Sequence, residues 1–318
     1  MMRIQTPAKV VIRDSTLREG LDMPGMERRL SLADRWRIAQ DLYGLGIREF
    51  DIVHPGRVGP AAIGLARRIK ERYAGSVVVH GALYADEPDL RSGLESLDGA
   101  VDEVDFVMPL TTLRTPRSPR AKERILLRAL ALARQLGRRA NAGFANSTQT
   151  SRGFLLHMCR RAAAGGAGMI VLYDSIGRSD PLETFTAVRG VREACGLPVL
   201  YHCHNDLGLA AANSLFAVYA GARVIDATIN GIGDRAGNAP LEQLAVILRV
   251  KGIATGIRLD KLKALSDLIA RKAGLPLARY QPIVGDPRVI FTHVSPKHKA
   301  CPRAFAAYDP RLVTGGPR

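Results

Sequence analysis

The chain has 318 residues, 47% of them hydrophobic, and 46 lysines and arginines face 30 aspartates and glutamates for a formal charge of +16. No apolar run reaches the roughly 18 residues that a membrane span needs, and residues 1–9 lack the apolar stretch of a secretory signal, so cytoplasmic residence is the expectation. The four cysteines, Cys159, Cys195, Cys203 and Cys301, have no paired spacing, which argues against a disulfide framework and against a cysteine zinc site.

The basic surplus is spread over many helical stretches, as in Arg67-Arg68, Arg138-Arg139 and Arg160-Arg161. It reads as a solvated surface or as a match to a polyanionic substrate such as a di- or tricarboxylate or a coenzyme A ester, with no nucleic-acid partner expected. One basic cluster, Arg114, Arg117, Arg120, Lys122 and Arg124 with Pro116 and Pro119, reads as a loop.

Strand-like runs follow one another at Val10–Arg13, Glu49–Val53, Ser76–Gly81, Glu103–Met108, Arg139–Phe144, Met169–Tyr173, Pro198–His202 and Arg223–Ile229. Amphipathic stretches lie between them, among them Leu32–Leu42, Ala121–Leu136, Arg152–Ala164, Leu182–Ala194 and Ala210–Ala220. Alternating strands and crossover helices at this spacing predict an α/β fold, a (β/α)8 TIM barrel of roughly 250 residues. A doubly wound open sheet is the competing architecture. The polar residues Asp14, Asp51, His80, Asn141, Asp174, His202, His204 and Asn230 are expected at the carboxyl ends of their strands. A closed barrel gathers such residues into one ring, so the barrel is preferred. Residues 1–257 form this catalytic domain in the reading. The loop Asn230–Asn238 is rich in glycine, but Gly231, Gly233 and Gly237 miss the dinucleotide-binding spacing.

From about Arg258 the pattern changes. A helical stretch Leu259–Ala273 leads into a segment with Pro282, Pro287, Pro296, Pro302 and Pro310, too rich in proline for another barrel unit. Residues 258–318 are expected to form a small subdomain packing over a barrel mouth.

The most telling segment is His202-Cys203-His204-Asn205. Alternate residues of a strand face the same way, so the two imidazoles can converge on a divalent metal, and an oxygen ligand must complete the site. Asp14, just past the first strand-like run, offers that oxygen. The bland alternative is a hydrogen-bonded strand end. Cys203 points the other way and reads as core. Asp174 reads equally as a loop or helix cap and as a substrate contact, and His80 as a structural histidine or a pocket residue.

Four blocks carry a family resemblance. They are Asp14–Gly20, His202–Ala210 with Asn213, Ile225–Glu242, and Pro282–Gly285 continuing through His293–His298 to Tyr308-Asp309-Pro310. On these the chain resembles the DRE-TIM metallolyase superfamily, and within it the 2-isopropylmalate, homocitrate and citramalate synthases. The resemblance implies that Asp14, His202 and His204 ligate a divalent metal (Mg²⁺, Mn²⁺, Zn²⁺ or Co²⁺), with Asn238 on or near it. It implies that Arg18 stabilises the enolate or oxyanion and that Glu19 orients Arg18 or holds substrate. Asp51 stands where the family has a glutamate near the metal. His80, Asn141, Ser147 and Ser175 join Arg18 and Asp51 as candidate substrate contacts. The implied reaction is a Claisen-type condensation of an acyl-CoA, with acetyl-CoA first, onto a 2-oxo acid, and the implied assembly is a homodimer with exchanged C-terminal subdomains.

The chain also departs from the family pattern. The carboxylate expected after the fifth strand is missing from Gly143–Gln149, Phe305 stands where the synthases place a tyrosine, and Leu21–Gly25 replaces the usual residues after Gly20. His298, supported by His293, is then the candidate acid or base, since an imidazole titrates near neutrality. The alternative function is carbon–carbon cleavage of the 3-hydroxy-3-methylglutaryl-CoA lyase type. Against it, the cysteine of the lyases' glycine loop is absent from Gly231–Asn238.

Overall fold

The computed structural model describes residues 7–56, 58–111, 118–290 and 306–314. Eight parallel strands close into a barrel in chain order: β1 (Val11–Asp14), β2 (Glu49–Val53), β3 (Val78–Tyr84), β4 (Glu103–Pro109), β5 (Arg139–Ala145), β6 (Ile170–Asp174), β7 (Val199–Cys203) and β8 (Val224–Ala227). The ring closes where β1 pairs with β8, Arg13 beside Asp226 and Asp14 beside Ala227. The predicted barrel is therefore observed.

Helices wrap the outside because each carries one apolar stripe. In Leu32–Leu45 that stripe is Ile38, Ala39, Leu42 and Leu45, all buried. Ser31 and Asp34 form a capping box at the start, and Gly46 ends the helix at φ 113° with Gly256 against its α-carbon, so no side chain fits there. A second capping box, Asp180 with Glu183, starts the helix Pro181–Cys195. The main core lies between these helices and the outer faces of the strands.

The barrel interior is different. Ala82, Val107, Met169, Val171, Leu200 and Val224 form an apolar layer, yet Arg13, Asp51, Asp105, Asn141, His202 and Asp226 are buried inside as well. Bulky branched residues fill most barrels of this kind. Alternation along each strand explains who faces inward: Arg13 meets Asp105 and Asp226 in the interior, so its neighbour Asp14 faces away.

The helix Leu262–Ala273 presents Leu262, Leu265, Ile269 and Ala273 toward its own barrel's flank. Arg29 Nη1 donates to the Ala273 carbonyl at 2.8 Å, Lys272 pairs with Asp34 at 2.7 Å, and Asn230 donates to the Ser266 carbonyl at 3.0 Å. The start of the predicted subdomain thus lies against this chain's own helices. Much of the remainder, residues 291–305, lies outside the described residues.

Candidate active site

At the carboxyl end of β1 the chain turns at once into the short helix Thr16–Asp22. That turn was not anticipated, and it matters because it brings Arg18 and Glu19 over the barrel mouth. Gly20 allows the close approach, since a β-carbon there would run into the Ile232 side chain. His202 comes from β7, and His204 stands just beyond it. Asn238 arrives on the loop after β8, bridged to His204.

Glu19, His202 and His204 form a buried cluster whose donor atoms lie within 4.8 Å of one another. The Nε2 atoms of His202 and His204 are 3.5 Å apart, and Glu19 oxygens stand 3.8 Å from the first and 4.0 Å from the second. Burial works against ionised Glu19, but Arg18 and the two histidines prevail and hold it down at about 2. Burial and the neighbouring His202 push His204 down to about 4, so its ring is neutral with a lone pair to give. Asn238 donates its amide to His202 Nε2 at 3.3 Å, while its Oδ1 is buried with no hydrogen-bond partner.

This donor set fits a divalent cation. One carboxylate, two imidazoles and an orphaned amide oxygen are hard-to-borderline ligands. Charge argues the same way. Around the cluster the guanidiniums of Arg13 and Arg18 are buried with four carboxylates, Glu19, Asp51, Asp105 and Asp226. The surplus of negative charge is what a 2+ ion would cancel, and buried charge is costly unless compensated. Gly233 supplies room, since a β-carbon there would overlap Asn238 Oδ1.

Asp14 is not part of the cluster, which corrects the sequence-based ligand set. β1 runs one residue further than its apolar run suggested, so Asp14 is its last residue and faces outward. Its carboxylate accepts the Thr16 amide at 3.0 Å and the Thr16 hydroxyl at 2.8 Å, tying down the first helical turn. Burial pushes its pKa up to about 7. The carboxylate beside the histidines is that of Glu19, five residues on.

His80 and Asn141 are corrected too. Each is the third residue of a seven-residue strand: β3 extends three residues past the end read from sequence, and Asn141 was near the start of its run from the outset. Both therefore sit in the amino-terminal half of the barrel. His80 lies 3.4 Å from Glu49 and 3.9 Å from Glu103, and Asn141 donates to Glu103 at 3.0 Å and Asp105 at 2.9 Å. They line a cavity of about 420 Å³ with Arg139 and Arg223, residues that open β5 and precede β8.

The other predicted residues are accounted for as follows. Arg18 is gripped by Asp51, which takes its Nε at 2.6 Å, and by Glu19, 2.8 Å from Nη2. Ser147 donates to the Tyr173 carbonyl and Ser175 accepts the Asn146 amide, both at 2.9 Å, so these hydroxyls hold loops. Asp174 accepts from Thr148, Arg178 and Ser179, which makes it a loop cap. Cys203 is buried against Ser214 and the Ala210 carbonyl in the barrel–helix layer, as read. His293, His298 and Phe305 lie outside the described residues, as do Arg114 and Arg117. Arg120, Lys122 and Arg124, read as part of a loop, fall instead in the helix Pro119–Gln135. One residue in contact with the cluster was missed. Asp226 accepts from His202 Nδ1 at 3.0 Å, and its signal was an acid inside the apolar run Arg223–Ile229.

Fold and cluster together define a (β/α)8 barrel with a carboxylate–bis-imidazole centre at its carboxyl mouth. The chain belongs to the HMGL-like family, whose model matches residues 9–269. Among curated relatives, homocitrate synthase of Saccharolobus solfataricus is 31% identical over 92% of this chain and 63% of its own length. 2-Isopropylmalate synthase 2 of Caldanaerobacter subterraneus is 28% identical over 98% of this chain and 81% of its own. The chain thus spans less than two thirds of the homocitrate synthase it matches. Among solved structures, the HMG-CoA lyase of Bacillus subtilis superimposes with a TM-score of 0.72 at 22% identity, covering 86% of this chain and 96% of that one. The hydroxymethylglutaryl-CoA lyase of Pseudomonas aeruginosa gives 0.71 at 19% identity, covering 88% and 97%. At such identities these likenesses bear on the fold alone.

Proposed function

We propose that the chain is the catalytic barrel of an acyl-CoA-dependent condensing enzyme, an acyltransferase that joins an acyl group, acetyl first, to a 2-oxo acid and releases coenzyme A. The observation that carries this reading is the buried Glu19–His202–His204 cluster lying directly beside a clamped arginine. Relatives named as homocitrate and isopropylmalate synthases support it.

In this reading Glu19, His202 and His204, with Asn238, hold a divalent metal, which when bound would polarise the keto group of the 2-oxo acid. Arg18 faces the oxygen on which charge develops. Asp51 and Glu19 fix its guanidinium beforehand, and Nη2 keeps no well-aligned hydrogen bond of its own, so donors remain for an oxyanion. Tyr173, buried with its ring 5.1 Å from that of His202, would help keep water from the cluster. Removal of the acyl α-proton falls to His298 with His293 supporting. The new carbon–carbon bond joins the acyl α-carbon to the keto carbon, and water then cleaves the thioester. The proposal extends to a homodimer, without exchange of the helix Leu262–Ala273, which packs on its own barrel, and to cytoplasmic residence; among the described residues no helix is long and apolar enough to cross a membrane.

The test is thiol release from acetyl-CoA with Mn²⁺ or Mg²⁺ against a panel of 2-oxo acids including 2-oxoglutarate, 2-oxoisovalerate, pyruvate and oxaloacetate. Release with one acceptor supports the condensing reading and names the substrate. A second reading, carbon–carbon cleavage on the same cluster, is favoured by Ala145-Asn146-Ser147, which offers no carboxylate after β5. Silence across the panel, with acetyl-CoA appearing from a 3-hydroxyacyl-CoA, would select it.

A further inference from the structure

Arg13 is a charged group completely buried inside the barrel. Its position is held from three sides. Nε donates to Asp226 Oδ1 at 2.6 Å and Nη2 to Asp226 Oδ2 at 2.8 Å, a two-pronged grip across the β1–β8 seam. Nη1 donates to Asp105 Oδ2 at 2.6 Å, and Asp105 is itself held by Asn141 at 2.9 Å. Asp51 lies 3.6 Å from Nη2. An apolar side chain would fill this layer without desolvating a guanidinium, so stability alone does not call for the arrangement.

We propose that Arg13 is a positioning residue for the metal ligand His202, acting through Asp226. This rests on the reading of Glu19, His202 and His204 as a metal centre. Asp226 Oδ2 faces His202 Nδ1 at 3.0 Å. A carboxylate accepts hydrogen bonds, so Nδ1 is the donor to Asp226, while Nε2 receives the Asn238 amide at 3.3 Å and turns its lone pair toward Glu19 and His204. The partner of a liganding histidine fixes its tautomer and ring orientation, and losing it typically weakens metal affinity by about 10- to 100-fold. Arg13 grips both oxygens of that partner and stops it turning. Lysine could supply the charge but not the planar fork. On this account Asn141 also has a place: it braces Asp105 behind Arg13, far from substrate.

The experiment titrates Mn²⁺ alone into the full chain by calorimetry and, in the metal-free protein, reads the His202 tautomer from long-range ¹H–¹⁵N spectra, assigned with His202→Gln. Wild type should bind one Mn²⁺ and show Nδ1–H at His202. Arg13→Lys should lose at least about tenfold in Mn²⁺ affinity and show Nε2–H as well. A folded Arg13→Lys protein with unchanged affinity and tautomer overturns the proposal. If that variant does not fold, Asp226→Asn decides. An amide must turn its NH2 toward a donor of Arg13 or toward His202 Nδ1, so it cannot reproduce the two-oxygen grip. The Nδ1–H preference or the Mn²⁺ affinity should fall, and a wild-type tautomer together with wild-type affinity overturns the proposal. If wild type binds no Mn²⁺, or His202→Gln binds it equally well, the metal reading fails instead, and the metal-free tautomer still decides the role of Arg13.

Discussion

His202 and His204 present their Nε2 atoms to each other at 3.5 Å, close to the separation that two ligands of one tetrahedral cation take when each bond is about 2.1 Å. The Glu19 oxygens, at 3.8 and 4.0 Å, need to move inward by only a few tenths of an ångström. Asp14 would have to reverse its direction from the strand. Glu19→Gln should therefore cut Mn²⁺ affinity at least about tenfold, while Asp14→Asn should leave it within a factor of about two. Calorimetric titration of both variants decides, and the opposite ranking would restore Asp14 as the ligand.

Arg18 is fixed by two carboxylates before substrate arrives. Arg18→Lys keeps the charge but cannot be gripped by both Asp51 and Glu19 while offering a further donor. The expected cost is about 10²–10³ in kcat, the usual size for removing an oxyanion donor. Thiol-release kinetics measure it. A loss confined to KM would show that Arg18 merely binds substrate.

Two glycines of the loop after β8 should fail in different ways. Gly233→Ala places a β-carbon against Asn238 Oδ1, so it should weaken metal binding with little change in Tm. Gly237 has φ 85° and its α-carbon faces the Gly231 carbonyl, so Gly237→Ala should lower stability by about 1–3 kcal/mol. Thermal melts and Mn²⁺ titrations of the pair test this; equal effects on both readouts would refute the distinction.

Glu242 is buried in the first turn of the helix Leu241–Val250, accepting the Asn230 amide through Oε2 while Oε1 has no partner. Burial pushes its pKa up to about 7 from 4.5. A carboxyl raised on folding favours the protonated folded state, so its contribution is fully present below pH 4.5 and is lost as pH rises through 7. The loss is about 3 kcal/mol. Urea unfolding of wild type and Glu242→Gln across pH 4.5–8 should diverge, with the variant lacking this fall. Parallel curves would contradict it.

The eight strands, their order and the outer helices were legible because apolar periodicity and turn residues report local structure. His202 and His204 were legible for the same reason, since two residues of spacing on a strand fix a common face. Asp14 misled because one residue of strand length reverses a side chain, and apolarity does not mark where a strand ends in a charged residue. His80 failed similarly: β3 continues through Ala82, Leu83 and Tyr84, so a residue read near a strand end lies near its beginning. Asn141 was already the third residue of the run read for β5 and was assigned to the wrong end. Glu19 became a ligand candidate only with the helix Thr16–Asp22, whose turn depends on contacts with Ile229 and Ile232 over two hundred residues away.

The Arg13–Asp226 grip joins residues 213 positions apart, the first strand to the last. While the chain is being synthesised, the β1 guanidinium has no β8 carboxylate to meet, and the loop that must close between them is nearly the whole barrel. A nascent chain lacking β8 has Asp105 and Asp51 for this guanidinium but lacks the two-pronged grip of Asp226, which disfavours a half-built ring. Closure and alignment of His202 are then a single late event. The protein should acquire metal competence in one step with its final fold, leaving no stable partial barrel that could capture a cation early.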